Sequence, residues 1–208
     1  MLPFGEPKWR RRKSQRPAEI IAAALEVFSE KGFAAAKLDE IARLAGVSKG
    51  ALYLYFETKE DLFRAVVQEA VAPNVSQVQS LASVEAPFGE VLRTVFGAIA
   101  RLIAGDRRIS SVAKVVICES RNFPELARIW HETVVSRGVG LLSALIARGQ
   151  ARGEVREGDP RYFAFGLMGP VLLSIVWRET FEPIGADAID VEALVAQHLD
   201  TVIKGLEP

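Results

Sequence analysis

Apolar residues recur along this chain at intervals of three and four nearly from end to end, and no stretch alternates with a period of two over the length of a strand. That pattern restricts the chain to an all-α fold, in which each helix buries one stripe against its neighbours. Half of the 208 residues are apolar, enough for a packed core and too many for a mainly disordered chain. The spacing predicts a first helix from near Pro17, with Ile20, Ile21, Ala24, Leu25 and Phe28 on one face and a stop at Gly32. A short helix is expected over 38–45 and a second over 49–55, with Gly46 supplying the turn between them and Ser48 the N-cap. Thr58 opens the next helix, with Asp61 three residues on as a variant capping box.

Longer helices follow. Phe88, Val91, Leu92, Val95, Phe96, Ile99, Leu102 and Ile103 form one stripe, and a shorter helix is expected to reach Glu119. Asn122, Pro124 and Glu125 start a long helix carrying Leu126, Trp130, Val134, Leu141 and Leu145, which fades over 149–158. Asp159 and Pro160 start a helix with no polar face, and a last helix bears Val191, Leu194, Val195, Leu199, Val202, Ile203 and Leu206 on one side. The longest apolar run, Phe163 to Trp177, would be about 22 Å as helix, and is expected to fall short of a bilayer core of about 30 Å.

Twenty-six basic and twenty-six acidic side chains cancel, so total charge argues for neither a nucleic-acid nor a membrane partner. Its distribution is uneven: residues 1–16 hold Lys8, Arg10, Arg11, Arg12, Lys13 and Arg16 against Glu6 alone. Such an arm can enter a minor groove or remain a solvated tail. One cysteine, Cys118, allows no internal disulfide and no thiol cluster for zinc, and no apolar leader precedes the first helix, so a cytoplasmic protein without metal or cofactor is expected.

Two short helices joined by Ala45-Gly46-Val47-Ser48 are a candidate helix-turn-helix, the second short enough to enter a major groove about 12 Å wide. Spacing alone does not separate this from an ordinary helical hairpin. Lys49, Tyr53, Tyr55 and Lys59 add donors of the kind that hold phosphates, although the two tyrosines also fit half-buried amphipathic positions.

With Ile41-Ala42, Ala45-Gly46-Val47-Ser48-Lys49-Gly50, Leu52-Tyr53-Leu54-Tyr55-Phe56 and Lys59-Glu60-Asp61-Leu62-Phe63 in order, the segment from Arg16 to Phe63 resembles the TetR family of bacterial one-component transcriptional regulators. The rest of the chain matches only in helical layout. The resemblance implies a three-helix DNA-binding domain over 16–57, a ligand-binding and dimerisation bundle over 58–208 and a flexible basic arm over 1–15. It also implies a dimer that reads a palindromic operator in double-stranded DNA and, as a repressor, leaves it when a small apolar or amphipathic effector binds.

Carried onto these residues, the resemblance implies that Ser48, Lys49, Gly50, Ala51 and Leu54 lie where a recognition helix approaches bases or backbone. Tyr53 and Tyr55 would meet phosphates, Lys59 would clamp one from the start of its helix, and Lys37 would add a charge in place of a hydroxyl cap. Ala51 and Leu54 stand where the family often has polar side chains, which shifts the weight toward contacts with thymine methyls.

In the bundle, Phe96, Trp130, Val134, Phe165 and Met168 are candidates to line an effector pocket, although aromatics at helical spacing are more often plain core. Leu172, Val176, Val195, Leu199 and Val202 are candidates for a four-helix interface across a two-fold axis. A helical adaptor without DNA binding is the alternative. An enzyme has one foothold, since Gly46-Val47-Ser48-Lys49-Gly50 matches a nucleophile elbow, but the expected helix before it is the wrong context, and His131 and His198 offer no triad or metal spacing.

Overall fold

The computed structural model describes residues 8–208, and among them only helices and their connections. In chain order these are α1 (Lys8–Ala35), α2 (Leu38–Leu44), α3 (Lys49–Tyr53), α4 (Lys59–Ala70), α5 (Ala72–Ala82), α6 (Phe88–Gly105), α7 (Arg107–Glu119), α8 (Pro124–Trp130), α9 (Ser136–Ala151), α10 (Pro160–Thr180) and α11 (Val191–Leu206). A single π-helical turn, His131–Val135, joins α8 to α9.

Of the basic arm, residues 1–7 lie outside the described residues. The helical backbone already runs from Lys8 and carries Pro17 inside it, ahead of the expected start. Lys, Arg and Gln are good helix formers, which suits a helix that begins ahead of Pro17. Gly32 interrupts α1 as expected, with φ 77° and ψ 172°. Helix α5 has no counterpart in the sequence reading; it follows α4 directly, with Pro73 in its first turn.

Two hydrophobic cores form. The first gathers Ile20, Ala24, Val27, Phe28 and Phe33 of α1 with Ile41, Leu52, Phe56, Leu62, Phe63 and Val66, and it extends to Val112, Val115 and Val116 of α7 and Leu126 and Ile129 of α8. The second joins α5, α6, α9, α10 and α11 around Phe88, Leu92, Val95, Phe96, Leu145, Ile146, Leu167 and Val171, and takes Ala113 from α7. Helix α7 is therefore a wall common to both.

The stripe on α11 faces inward. Val195 and Leu199 are each only 2% exposed, packed in the second core where α11 crosses α6, and Val202 lies partly buried against the same core. This corrects their assignment to a subunit interface: the stripe is used up within its own bundle. The apolar helix α10 divides its surface instead. Ala164, Leu167, Val171, Ser174 and Ile175 are buried, whereas Tyr162, Phe165, Leu172 and Leu173 are exposed and Val176 is half-buried. At 21 residues α10 is longer than the run read from sequence, and by length and composition alone it could cross a membrane. Here one of its sides packs on α7, α9 and α11.

Because Leu199 fills its own core, Leu199→Ala is expected to lower unfolding stability by about 2–5 kcal/mol, the range for a buried leucine. Urea unfolding at fixed protein concentration measures this, and a loss under about 1 kcal/mol would contradict the inward placement.

Candidate nucleic-acid interface

The α2–α3 unit is held by short-range interactions. Its inner side, Ile41, Ala42 and Leu52, is buried in the first core, which fixes both helices against α1. Gly46 takes φ 66° at the corner, where its amide donates to Arg43 O at 3.2 Å and the Val47 amide to Ala42 O at 2.9 Å. The Ser48 hydroxyl accepts the Ala51 amide at 3.2 Å and so starts α3. The serine of the elbow-like motif is thus an N-cap between two helices. Thr58 and Asp61 complete a reciprocal capping box at the head of α4, with bonds of 3.0 and 3.2 Å.

The outer side of α3 is bare. Leu54 is 84% exposed and Tyr53 43%, beside exposed Ser48, Lys49 and Gly50, with Ala51 half-buried. Tyr55 turns the other way and packs, half-buried, on the first core. Lys49 Nζ pairs with Asp39 of α2 at 2.8 Å, and the hydrogen bond and charge of that carboxylate raise the lysine pKa above its ordinary value. Lys37 is exposed at the N-cap of α2 without a side-chain cap, as its residue type dictates. These residues, Tyr55 apart, are exposed or half-buried on the α2–α3 unit, with Lys37 at the head of α2 and Lys49 at the head of α3.

Lys59 is placed otherwise than the resemblance implies. Its ammonium donates to the carbonyls of Phe33 at 2.5 Å and of Ala34 and Ala36 at 3.2 Å, and lies 4.5 Å from the centre of the Phe33 ring. Burial pushes its pKa below the ordinary value, against the attraction of Glu60 and Glu119. Three carbonyl acceptors still favour the charged form, so Lys59 is a clamp on the end of α1 rather than a free phosphate ligand.

In the bundle, Phe96 is fully buried in the second core, and Met168 is partly buried against it. Phe165 is half exposed on the outer face of α10, which separates it from the other pocket candidates. Trp130 touches both cores and immediately precedes the π-helical turn, and Val134, within that turn, packs on the first core. An open groove of about 430 Å³ lies elsewhere, between Arg93, Gly97 and Arg101 of α6 and Ala193, Ala196 and Asp200 of α11. One polar residue escaped the sequence reading. Glu119, at the end of α7, accepts the Phe33 and Ala34 amides at 2.6 Å each, and no local pattern marks a partner so distant in the chain.

A rigid corner glycine, a capped short helix with a bare outer face and a bundle behind it define a helix-turn-helix DNA-binding regulator. Residues 20–66 match the family model described as "Bacterial regulatory proteins, tetR family", and residues 89–197 match that of the "Tetracyclin repressor-like, C-terminal domain". The chain is 30% identical over 200 residues to the fatty acid metabolism regulator protein of Bacillus subtilis, covering 93% of this chain and 98% of that protein. It is 27% identical to the transcriptional regulator RutR of Escherichia coli, over 97% and 95% of the two chains. The crystal structure of the B. subtilis regulator FadR in complex with stearoyl-CoA superposes with a TM-score of 0.75 at 25% identity, covering 91% of this chain and 99% of that one. The chain belongs to the TetR family of bacterial transcriptional regulators.

The Lys59 clamp yields a prediction. Lys59→Ala leaves carbonyls at the end of α1 without their charged donor and is expected to lower folding stability by about 1–3 kcal/mol, read as a fall in the thermal midpoint without DNA. An unchanged midpoint would show that the ammonium is free to serve a phosphate.

Proposed function

We propose that the protein is a dimeric, ligand-responsive repressor that reads a palindromic operator with the outer face of α3. The observation that carries this reading is the bare edge of α3: Lys49, Gly50, Tyr53 and Leu54 face outward on a helix whose other side is locked in the core. Apart from its own chain neighbours and helix backbone, a Cβ at Gly50 would meet nothing within 4 Å, so the surface there is open. That open surface leaves room for a close approach by a DNA backbone. Ser48, Lys49 and Tyr53 take phosphates, and Ala51 and Leu54 face the major groove, where their methyls suit thymine. Tyr55 supports the edge from beneath, and Lys37 adds charge at the flank. Residues 16–57 serve as the reading unit and 58–208 as the bundle, in the cytoplasm where the DNA is.

The second copy covers α10. Tyr162, Phe165, Leu172 and Leu173 make an exposed apolar stripe, with Tyr162 at 74% exposure, and Gly166 and Gly169 lie between them where backbones can approach. A two-fold axis through this stripe sets two α3 helices on one face of a duplex and makes the operator an inverted repeat.

The effector enters near Trp130, Val134 and Met168; Trp130 and Met168 pack on the core that holds Phe96. Trp130 bridges the cores beside the π-helical turn, a backbone distortion of the kind found at functional sites. The likeness to regulators of fatty-acid metabolism supports a long-chain acyl-CoA as effector.

Three outcomes are expected. Duplexes selected from a random pool are inverted repeats, bound with a log–log salt slope near −7 if about eight phosphates are neutralised. Tyr53→Ala reduces that slope, and binding indifferent to salt would sink the reading. Leu172→Glu yields monomers by sedimentation with helicity retained and operator binding lost; dimers from that variant would move the interface away from α10. Stearoyl-CoA is then expected to weaken operator binding by about 5- to 150-fold, and operator to weaken stearoyl-CoA binding by the same factor.

A further inference from the structure

Gly32 has no room for a side chain: a Cβ there would lie 2.2 Å from Glu119 Oε1, and the φ of 77° favours glycine independently. Into that space the Glu119 carboxylate reaches from the end of α7, one oxygen accepting the Phe33 amide and the other the Ala34 amide, both at 2.6 Å. Both donors lie just past the Gly32 break, where the helical hydrogen-bond ladder is interrupted. Hydrogen bonds from amides to a carboxylate are charge-assisted and stronger than neutral ones.

The same corner is closed from its other side. Lys59 at the head of α4 donates to the carbonyls of Phe33, Ala34 and Ala36, and Phe123, just past α7, packs edge-on against Phe33 at 5.1 Å. The corner leads within two residues into α2, whose Ile41 and Ala42 seat the reading unit. Its α7 end is fixed in a helix that presents Val112, Val115 and Val116 to the first core and Ala113 to the second. A displacement of α7 within the bundle therefore pulls on the corner from which α2 and α3 hang.

We propose that Glu119 is a positioning residue for DNA reading: its carboxylate ties the α1–α2 corner to α7, so that the packing of the bundle sets the pose of the recognition helix. This rests on the proposed DNA-binding function for its consequence and on geometry alone for its existence. The role of Glu119 is to make the corner and α7 move together.

The test compares the full-length wild type with Glu119→Gln and Ala113→Leu, singly and combined. Glu119→Gln is expected to speed amide exchange at Phe33 and Ala34 at least tenfold while exchange within α6 and α9 stays the same. It is also expected to weaken binding to a duplex selected by the wild type about tenfold, with binding to unrelated duplex unchanged, a split that general destabilisation would not produce. Ala113→Leu, which presses on α7 from the bundle side, should shift selected-duplex affinity severalfold in the wild type and less than twofold in the Glu119→Gln background. Unchanged exchange at Phe33 and Ala34 would overturn the tie, and equal effects of Ala113→Leu in both backgrounds would overturn the coupling. If the wild type selects no duplex, the regulator reading fails, and the exchange measurement still decides the tie.

Discussion

The burial of α7 between two hydrophobic cores is the constraint on which the rest of the structure depends. One of its sides, with Val112, Val115 and Val116, closes the core that seats the helix-turn-helix, and Ala113 belongs to the core of the bundle. Packed interiors are dense and deform little. A helix shared in this way cannot shift in one half of the molecule without disturbing the other. The Glu119 carboxylate adds a directional bond to that apolar wall, which by itself would resist separation better than sliding.

The reading surface shows how a helix as short as α3 is made stable. Five residues are too few to hold a helix by backbone bonds alone. The Ser48 cap, the Gly46 turn and the burial of Leu52 supply what propensity cannot, and all three leave the outer edge free. The exposure of Tyr53 and Leu54 is thus a consequence of where the stabilising interactions sit.

What was legible in the sequence is what short-range chemistry decides. The Gly46 corner, the Ser48 cap and the Thr58–Asp61 box each join residues no more than five apart, and all form as expected. The apolar stripe of α11 was equally visible, but a stripe states that a face is buried and not what covers it. Val195 and Leu199 turned out to face α6 rather than a second subunit. Lys59 stands at a helix head where an anion would be attracted, and its side chain instead reaches carbonyls 23 to 26 residues earlier in the chain. Glu119 was beyond reach for the same reason, since 86 residues separate it from the Phe33 amide. The roles of the outward residues on α3 came from the family resemblance; spacing showed only that a turn joins two short helices.

In the proposed complex two copies of α3, related by a dyad, read a major groove each. Dimethyl sulfate protection of a duplex selected by the wild-type protein measures this directly, because guanine N7 lies in the major groove. Protection is expected in two short segments on one face of the duplex, in inverted orientation and about 34–36 Å or a multiple of that apart. A single protected segment, or uniform weak protection along the duplex, would contradict it.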